Sequence, residues 1–319
     1  MKDGKISHDL AGVTMLSLEK YAVFVPDSRV PVMNLEVETG LPKSMLSIFK
    51  LIYGLNTIAI WKSDVKSLLK MPLENILLGD VERDRIKYLI YVHTASWVSL
   101  MDDGVDGCIK NQFSFPDAHI WETSLYKCVG FFKALELLQR ILLHDELGLI
   151  LTGEVAFTPK LRVVPRSTIV GDAATASIFS LSGLKHQLLS VNTKLITGYE
   201  RGIYLSNAQL NEFEKKYVGE TLAIILEVLK RARIQLTDIK LILPHNVNIP
   251  TWYKIAAALQ FPIEKIYLKN IPILGHTFCS DHLINLQSAI SENVLMPGDY
   301  YVMVGCGLGF FISAAVWKY

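Results

Sequence analysis

The sequence predicts an α/β fold, on three observations. Strand-like and helix-like stretches alternate along the chain, the alternation begins afresh near Lys185, and several stretches are too uniformly apolar for a surface position. With 319 residues that are 50% hydrophobic and 20% charged, the chain can bury a large core. The expected organisation is one unit built twice, with a first half over 1–183 and a second over 184–319.

Residues 1–10 are polar and read as loose, and Gly12 to Leu18 reads as the first strand. Pro26, Pro31 and Gly40 punctuate the segment that follows, and a helix is expected over Ser67 to Leu78 with Pro72 inside it. Lys87 to His93 is a strand rich in aromatic and branched residues. Residues 97–113 read as a helix that becomes turn-rich at Gly104 and Gly107. Ala118 to Thr123 alternates as a strand, and from Cys128 to Leu143 runs a helix apolar nearly all round, which implies burial. Leu147 to Val155 reads as a central strand, and the small residues Val170 to Ala176 lead into a strand ending at Leu181.

In the second half, His186 to Val191 is a strand and Asn207 to Arg233 a long helix. Leu210, Phe213, Tyr217, Leu222, Ile225 and Leu229 mark its buried face. Asp238 to Leu243 is a strand that ends at Pro244-His245, with a helix following through Leu259. A short strand over Lys265 to Leu268, a loop at Gly275 to Phe278, a helix over Cys279 to Asn293 and strands at Tyr300 to Val304 and Phe310 to Val316 complete the chain. A glycine-rich loop, Gly305 to Gly309, joins the last two strands.

Charge and cysteine usage narrow the function classes. Lys plus Arg is 32 against Asp plus Glu 31, which argues against an extended nucleic-acid footprint. No apolar run approaches the ~18 residues of a membrane span, so no membrane partner is expected. Cys108, Cys128, Cys279 and Cys306 form no CxxC pair and no signal-peptide pattern opens the sequence, which fits a reducing cytoplasm.

Cys128 falls where a strand gives way to a helix. Unpaired amides and the helix dipole favour an anion there, and a thiolate is an anion. Free cysteine is also among the most buried residue types, so by itself Cys128 reads first as a core residue. His245 stands on a second strand-to-helix turn, where open α/β folds bind ligands. His276, Cys279 and His282 show a His-x2-Cys-x2-His spacing. No fourth ligand stands nearby, and a helix would turn His282 away from His276, so no metal is expected. Gly305-Cys306-Gly307-Leu308-Gly309 lacks a dinucleotide fingerprint. It reads either as a tight hairpin turn or as a backbone donor that approaches a reacting oxygen.

Together these pieces form a pattern. Cys128-x-Gly130-Phe131, Gly171-Asp172-Ala173-x-x-Ala176, Pro244-His245-x-x-Asn248, Gly275-His276-Thr277 and Gly307-x-Gly309-Phe310 stand in the order found in the β-ketoacyl-acyl carrier protein synthase III family. The chain resembles that family of thiolase-fold condensing enzymes over roughly residues 85–319, as a divergent member. The resemblance implies a five-layered α/β/α/β/α sandwich of two similar halves. It implies Cys128, His245 and His276 as catalytic residues. The backbone of Cys128, Leu308 and Gly309 would form an oxyanion hole, and Phe131, Asn248 and Cys306 would contact substrate. Acyl-coenzyme A or acyl-carrier-protein thioesters would be substrates, with no bound cofactor, an acyl carrier protein as partner, and a homodimer or a heterodimer with a homologue as the assembly.

The implied activity is ping-pong acyl transfer: acyl-Cys128 condenses with a malonyl-type or β-keto thioester, in polyketide or fatty-acid-derived specialised metabolism. The alternatives are a non-decarboxylating acyltransferase to an alcohol or amine, and a subunit of a heterodimeric ketosynthase. Three differences from the family bear on this choice. His276 stands where the family has Asn, Pro250 and Glu38 stand where it has arginines, and the span from Cys128 to His245 is shorter. An imidazole can act as a general base and a carboxamide cannot.

Overall fold

A computed structural model describes residues 15–76, 79–95, 117–319 and the single positions 107, 109, 113 and 115. The expected loose start, residues 12–14 of the expected first strand, Cys108 and most of the expected helix over 97–113 lie outside these residues. Nine strands form one mixed sheet: β1 (Ser17–Phe24), β2 (Ile86–Val92), β3 (His119–Thr123), β4 (Leu147–Glu154), β5 (Ala173–Ser180), β6 (Gln187–Leu195), β7 (Ile239–Pro244), β8 (Tyr300–Gly307) and β9 (Phe311–Lys318). Among the helices that accompany them, those that build the layers are α1 (Val65–Asn75), α2 (Gly130–Ile141), α3 (Asn207–Ala232), α4 (Ile249–Leu259) and α5 (Asp281–Ser291).

The strand order repeats. In the first half β1 is antiparallel to β5, β5 is antiparallel to β4, and β4, β2 and β3 run parallel. In the second half β6 is antiparallel to β9, β9 is antiparallel to β8, and β8 is parallel to β7. The two sets touch through β1 and β6 at the pair Ser17 and Gln187.

Side-chain alternation builds the layers. Ile90 and Val92 of β2 face a central core while Leu89 and Tyr91 face an outer one under α1; Tyr301 and Met303 of β8 face the same central core while Val302 and Val304 face α3 and α4. The central core contains α2 and α5, giving five layers: α1, the first strand set, α2 with α5, the second set, and α3 with α4. Strand β4 is buried throughout on both faces, with an apolar run over Leu147 to Leu151 and the polar Thr152 and Glu154 at its C-terminal end. Gly130 lets α2 sit against β2, since a Cβ there would fall 2.4 Å from Val92 Cγ1.

Several elements differ from their expected form. The first strand starts at Ser17 and runs on to Phe24, because a bulge between Leu18 and Lys20 carries the charged pair Glu19-Lys20 through the ladder. The expected strand over Lys265 to Leu268 is a 3-10 turn (Ile263–Lys265) followed by a single parallel bridge from Ile266 to Ile242. Helix α2 is not buried all round, for Leu138 is fully buried while Leu137 beside it is 37% exposed. Gly305 to Gly307 belong to β8, and only Leu308 to Phe310 form the turn into β9. Among the described residues no helix is long and apolar enough to cross a membrane.

Candidate active site

Three turns from different parts of the chain meet at Cys128. The residue sits in a 3-10 turn (Lys127–Val129) that leads into α2, and Lys127 adopts φ 52°, a left-handed conformation that bends the chain sharply before the cysteine. The Cys279 thiol donates to the Lys127 carbonyl at 3.1 Å and props the turn from below. Across it lies the β8–β9 turn. A Cβ on Gly307 would stand 2.7 Å from the Tyr126 carbonyl and 3.3 Å from the Cys128 amide nitrogen, so glycine is what permits this approach.

The third turn carries His276. The Gly171 amide donates to the His276 carbonyl at 2.8 Å, and Val170 bridges the same residue, which ties this loop to the first half. Beside it, Asp172 collects the Trp61 and Ala156 amides, each at 2.9 Å, and pairs with the buried Arg162 at 2.8 Å. The Gly171-Asp172-Ala173 pattern is thus a brace under the site.

Cys128, His245 and His276 all line one cavity of about 320 Å³, and all three are buried. The two imidazoles lie 5.7 Å apart, nearly perpendicular. His276 donates through Nδ1 to Asp281 Oδ2 at 2.5 Å, leaving Nε2 for the Cys128 sulfur. Burial alone would lower its pKa, but the Asp281 carboxylate and the Cys128 sulfur outweigh that and raise it to about 10. His245 goes the other way: burial and the neighbouring His276 bring it down to about 3, and it is neutral.

The tautomer of His245 follows from its partners. The Cys306 amide donates to Nδ1 at 3.2 Å, so Nδ1 bears no proton and Nε2 does. Nε2–H then donates to the Tyr217 hydroxyl at 2.8 Å. In this arrangement the imidazole paired with the Cys128 sulfur is that of His276. Thr94 Oγ1 is 3.6 Å from Cys128 Sγ, and Glu154 holds that loop by accepting the Thr94 and Ala95 amides, each at 2.7 Å. Burial raises the Glu154 carboxyl to about 7, against the opposing effect of those amides.

Of the other expected residues, Cys306, Asn248, Leu308 and Gly309 line the cavity. The Asn248 side chain is committed to structure, accepting the Thr251 amide at 3.0 Å as the cap of α4 and donating to the Ser167 carbonyl at 3.1 Å. Phe131 does not reach the cavity. It is 1% exposed, packed on Phe132, Phe179 and His282 in the central core, because the first turn of α2 points that position inward. His282 is likewise a core residue, edge-on to Phe132 at 4.8 Å, and among the described residues no group of three or more His, Cys, Asp or Glu is placed to hold a metal ion. Asp281, Tyr217, Thr94 and Glu154 are site residues that the motifs did not single out. A wall of Tyr199, Phe213, Tyr217 and Phe310 lines the cavity on the α3 side.

This architecture is the thiolase-like fold. Among solved structures, ChlB3, described as an acyltransferase, superposes with a TM-score of 0.81 at 21% identity, covering 95% of this chain and 97% of that one. The 3-oxoacyl-[acyl-carrier-protein] synthase III of Aquifex aeolicus VF5 gives 0.78 at 17%, covering 95% and 100%. Xanthomonas campestris OleA, solved with lauric acid and lauroyl-CoA, gives 0.77 at 12%, covering 96% and 99%.

In sequence, residues 229–319 match the family described as 3-oxoacyl-[acyl-carrier-protein (ACP)] synthase III C terminal. The β-ketoacyl-[acyl-carrier-protein] synthase III of Aquifex aeolicus (strain VF5) is 26% identical over 200 residues, 60% of this chain and 64% of that protein. Its counterpart in Clostridium perfringens (strain ATCC 13124) is 26% identical over 216 residues, 60% and 65%. These matches span just under two thirds of the relatives' length. The chain has the thiolase-like fold and is similar in sequence to the synthase III family, whose C-terminal model it matches over residues 229–319.

Proposed function

We propose that the chain takes an acyl group from a coenzyme A or carrier-protein thioester onto Cys128 and condenses it with a malonyl-type or β-keto thioester. The observation that carries this reading is the meeting of Cys128, His245 and His276 on one cavity, with His276 beside the sulfur. The first half, 1–183, would contribute the nucleophile and the second, 184–319, both histidines.

In the first step His276 holds the proton of the Cys128–His276 pair, the sulfur attacks the thioester carbonyl, and the leaving thiol departs with that proton. The backbone at Cys128 and at the Leu308–Gly309 turn is suited to receive the oxyanion, because Gly307 seats that turn against the Cys128 amide. In the second step the malonyl carboxylate leaves as carbon dioxide, and its bonding electrons form an enolate beside the two imidazoles. The enolate carbon attacks acyl-Cys128, the C–S bond breaks with its electron pair going to sulfur, and a proton taken up from solvent restores the Cys128–His276 pair. Glu38 and Pro250 in place of family arginines favour a carrier-protein donor over free coenzyme A, and a role in specialised metabolism. A homodimer or a heterodimer with a homologue is the proposed assembly.

A second reading, transfer to an alcohol or amine, is favoured by the buried carboxylate behind His276. A non-catalytic role in a heterodimer is disfavoured by the presence of Cys128 and His245. The test is to acylate the protein, add malonyl thioester and follow carbon dioxide together with loss of the adduct. Condensation releases both products in step; an adduct that persists with no carbon dioxide overturns it.

A further inference from the structure

Tyr217 stands on α3, and its hydroxyl lies 2.8 Å from His245 Nε2. The phenol and the imidazole are within 14° of parallel with centroids 6.5 Å apart, so the bond runs edge to edge between them. Phe213 packs on the phenol at 5.6 Å and Phe310 at 6.4 Å, and Trp252 packs edge-on to the imidazole at 5.7 Å, which holds both rings in place. Both residues line the cavity, and Tyr217 keeps 9% of its surface open against 3% for His245. Burial first and the Cys306 sulfur second push the Tyr217 hydroxyl well above its usual pKa, against a smaller opposing effect of Thr221, so it stays protonated.

By the second step the protons of both imidazoles are already committed. The Cys306 amide donates to His245 Nδ1 and His245 Nε2–H donates to Tyr217, so His245 has no proton left for substrate. Once the leaving thiol has carried off the shared proton, His276 keeps only Nδ1–H, which is bonded to Asp281. Its Nε2 is then an acceptor. Neither imidazole therefore offers a donor to an oxygen on which negative charge develops. The Tyr217 oxygen accepts from His245, which leaves its own proton for another acceptor. Amide, imidazole and hydroxyl form a chain in which every donor points the same way, and in such a chain each bond strengthens the next.

We propose that the Tyr217 hydroxyl is the hydrogen-bond donor to the thioester carbonyl oxygen of the second substrate, and that His245 is a positioning residue that holds this hydroxyl from behind. This rests on the decarboxylative reading above and gives its enolate a named contact. As carbon dioxide leaves, the electrons of the broken C–C bond pass through the α-carbon to the carbonyl oxygen. The Tyr217 O–H donates to that oxygen without giving up its proton. When the enolate carbon attacks acyl-Cys128, the same electron pair forms the new C–C bond and the carbonyl is restored. The hydroxyl ends the step as it began.

The experiment loads the full chain with a short acyl thioester until the adduct is complete by intact mass, adds malonyl thioester, and follows carbon dioxide over a single turnover. Loading first separates this step from acylation. In Tyr217→Phe the release is expected to slow about 10-fold, the worth of one hydrogen bond. In the double variant with His245→Ala it is no slower than in Tyr217→Phe alone, because His245 acts through the hydroxyl. Site-specific exchange of Tyr217 for a fluorinated tyrosine separates the two roles of the hydroxyl, since fluorine makes it a stronger donor and a weaker acceptor. Release at or above the wild-type rate is expected there. The proposal is overturned by wild-type release in Tyr217→Phe, by single-variant losses that multiply in the double variant, or by a fluorinated protein as slow as Tyr217→Phe. A wild-type adduct that forms but releases no carbon dioxide overturns the decarboxylative reading and this proposal with it. Absence of any adduct removes the acyl-Cys128 reading itself.

Discussion

Replacing Gly307 by alanine tests the seam where the two halves meet at the nucleophile. The added Cβ would stand 2.7 Å from the Tyr126 carbonyl oxygen. This contact is with backbone, which no rotamer change can move. Restoring an ordinary C···O separation of about 3.3 Å requires the turns to part by roughly 0.6 Å. Overpacking of this kind costs about 1–3 kcal/mol, and in a chain of this size each kcal/mol lowers the melting temperature by about 2–4 °C. The chemical effect should be larger than the thermal one. Misplacing a reacting group by about 1 Å can cost ~100-fold in rate, so the acylation rate should fall about 10- to 100-fold in protein that is still folded. The assay is a time course of the acyl adduct by intact mass, beside a thermal melt. Wild-type acylation with an unchanged melt would refute the reasoning, since the β8–β9 turn would then not bear on Cys128.

Tyr217→Phe leaves the His245 Nε2–H without its acceptor. Turnover should fall about 10-fold while acylation of Cys128 changes less, as single-turnover and steady-state rates measured together will show. Asp172→Ala strands the buried Arg162 and the Trp61 and Ala156 amides. It should cost about 3–5 kcal/mol, read as a lower urea midpoint. His276 has a folded pKa of about 10 against 6.5 unfolded, so its proton stabilises the fold fully below pH 6.5, and that stability is lost as pH rises through 10. The stability difference between wild type and His276→Asn should therefore shrink between pH 7 and 10. Denaturation midpoints across that range check the sign.

Much of the site could be read from sequence because Cys128, His245 and His276 stand beside glycines or proline at turns, where strand and helix patterns break off. Asp281 and Tyr217 escaped because each lies inside a helical pattern. Tyr217 counts toward the apolar face of α3, and nothing local signals that its hydroxyl meets a histidine 28 positions away. Asp281 opens α5 as any helix-starting acid might, and its bond to His276 depends on the turn between them. Phe131 was misassigned as a substrate contact for a related reason. Adjacency to the nucleophile in sequence does not survive the turn into α2, which sends that ring into the central core. Strand β1 was placed too early because charged Glu19-Lys20 interrupts an alternation that the ladder with β5 restores.

The central claim is that Cys128 carries an acyl group, and mass mapping tests it most directly. Incubation with a panel of acyl thioesters, followed by intact mass and peptide mapping, should give one adduct, located on Cys128 and absent from Cys128→Ala. No adduct from any thioester, or an adduct that persists in Cys128→Ala, would contradict it.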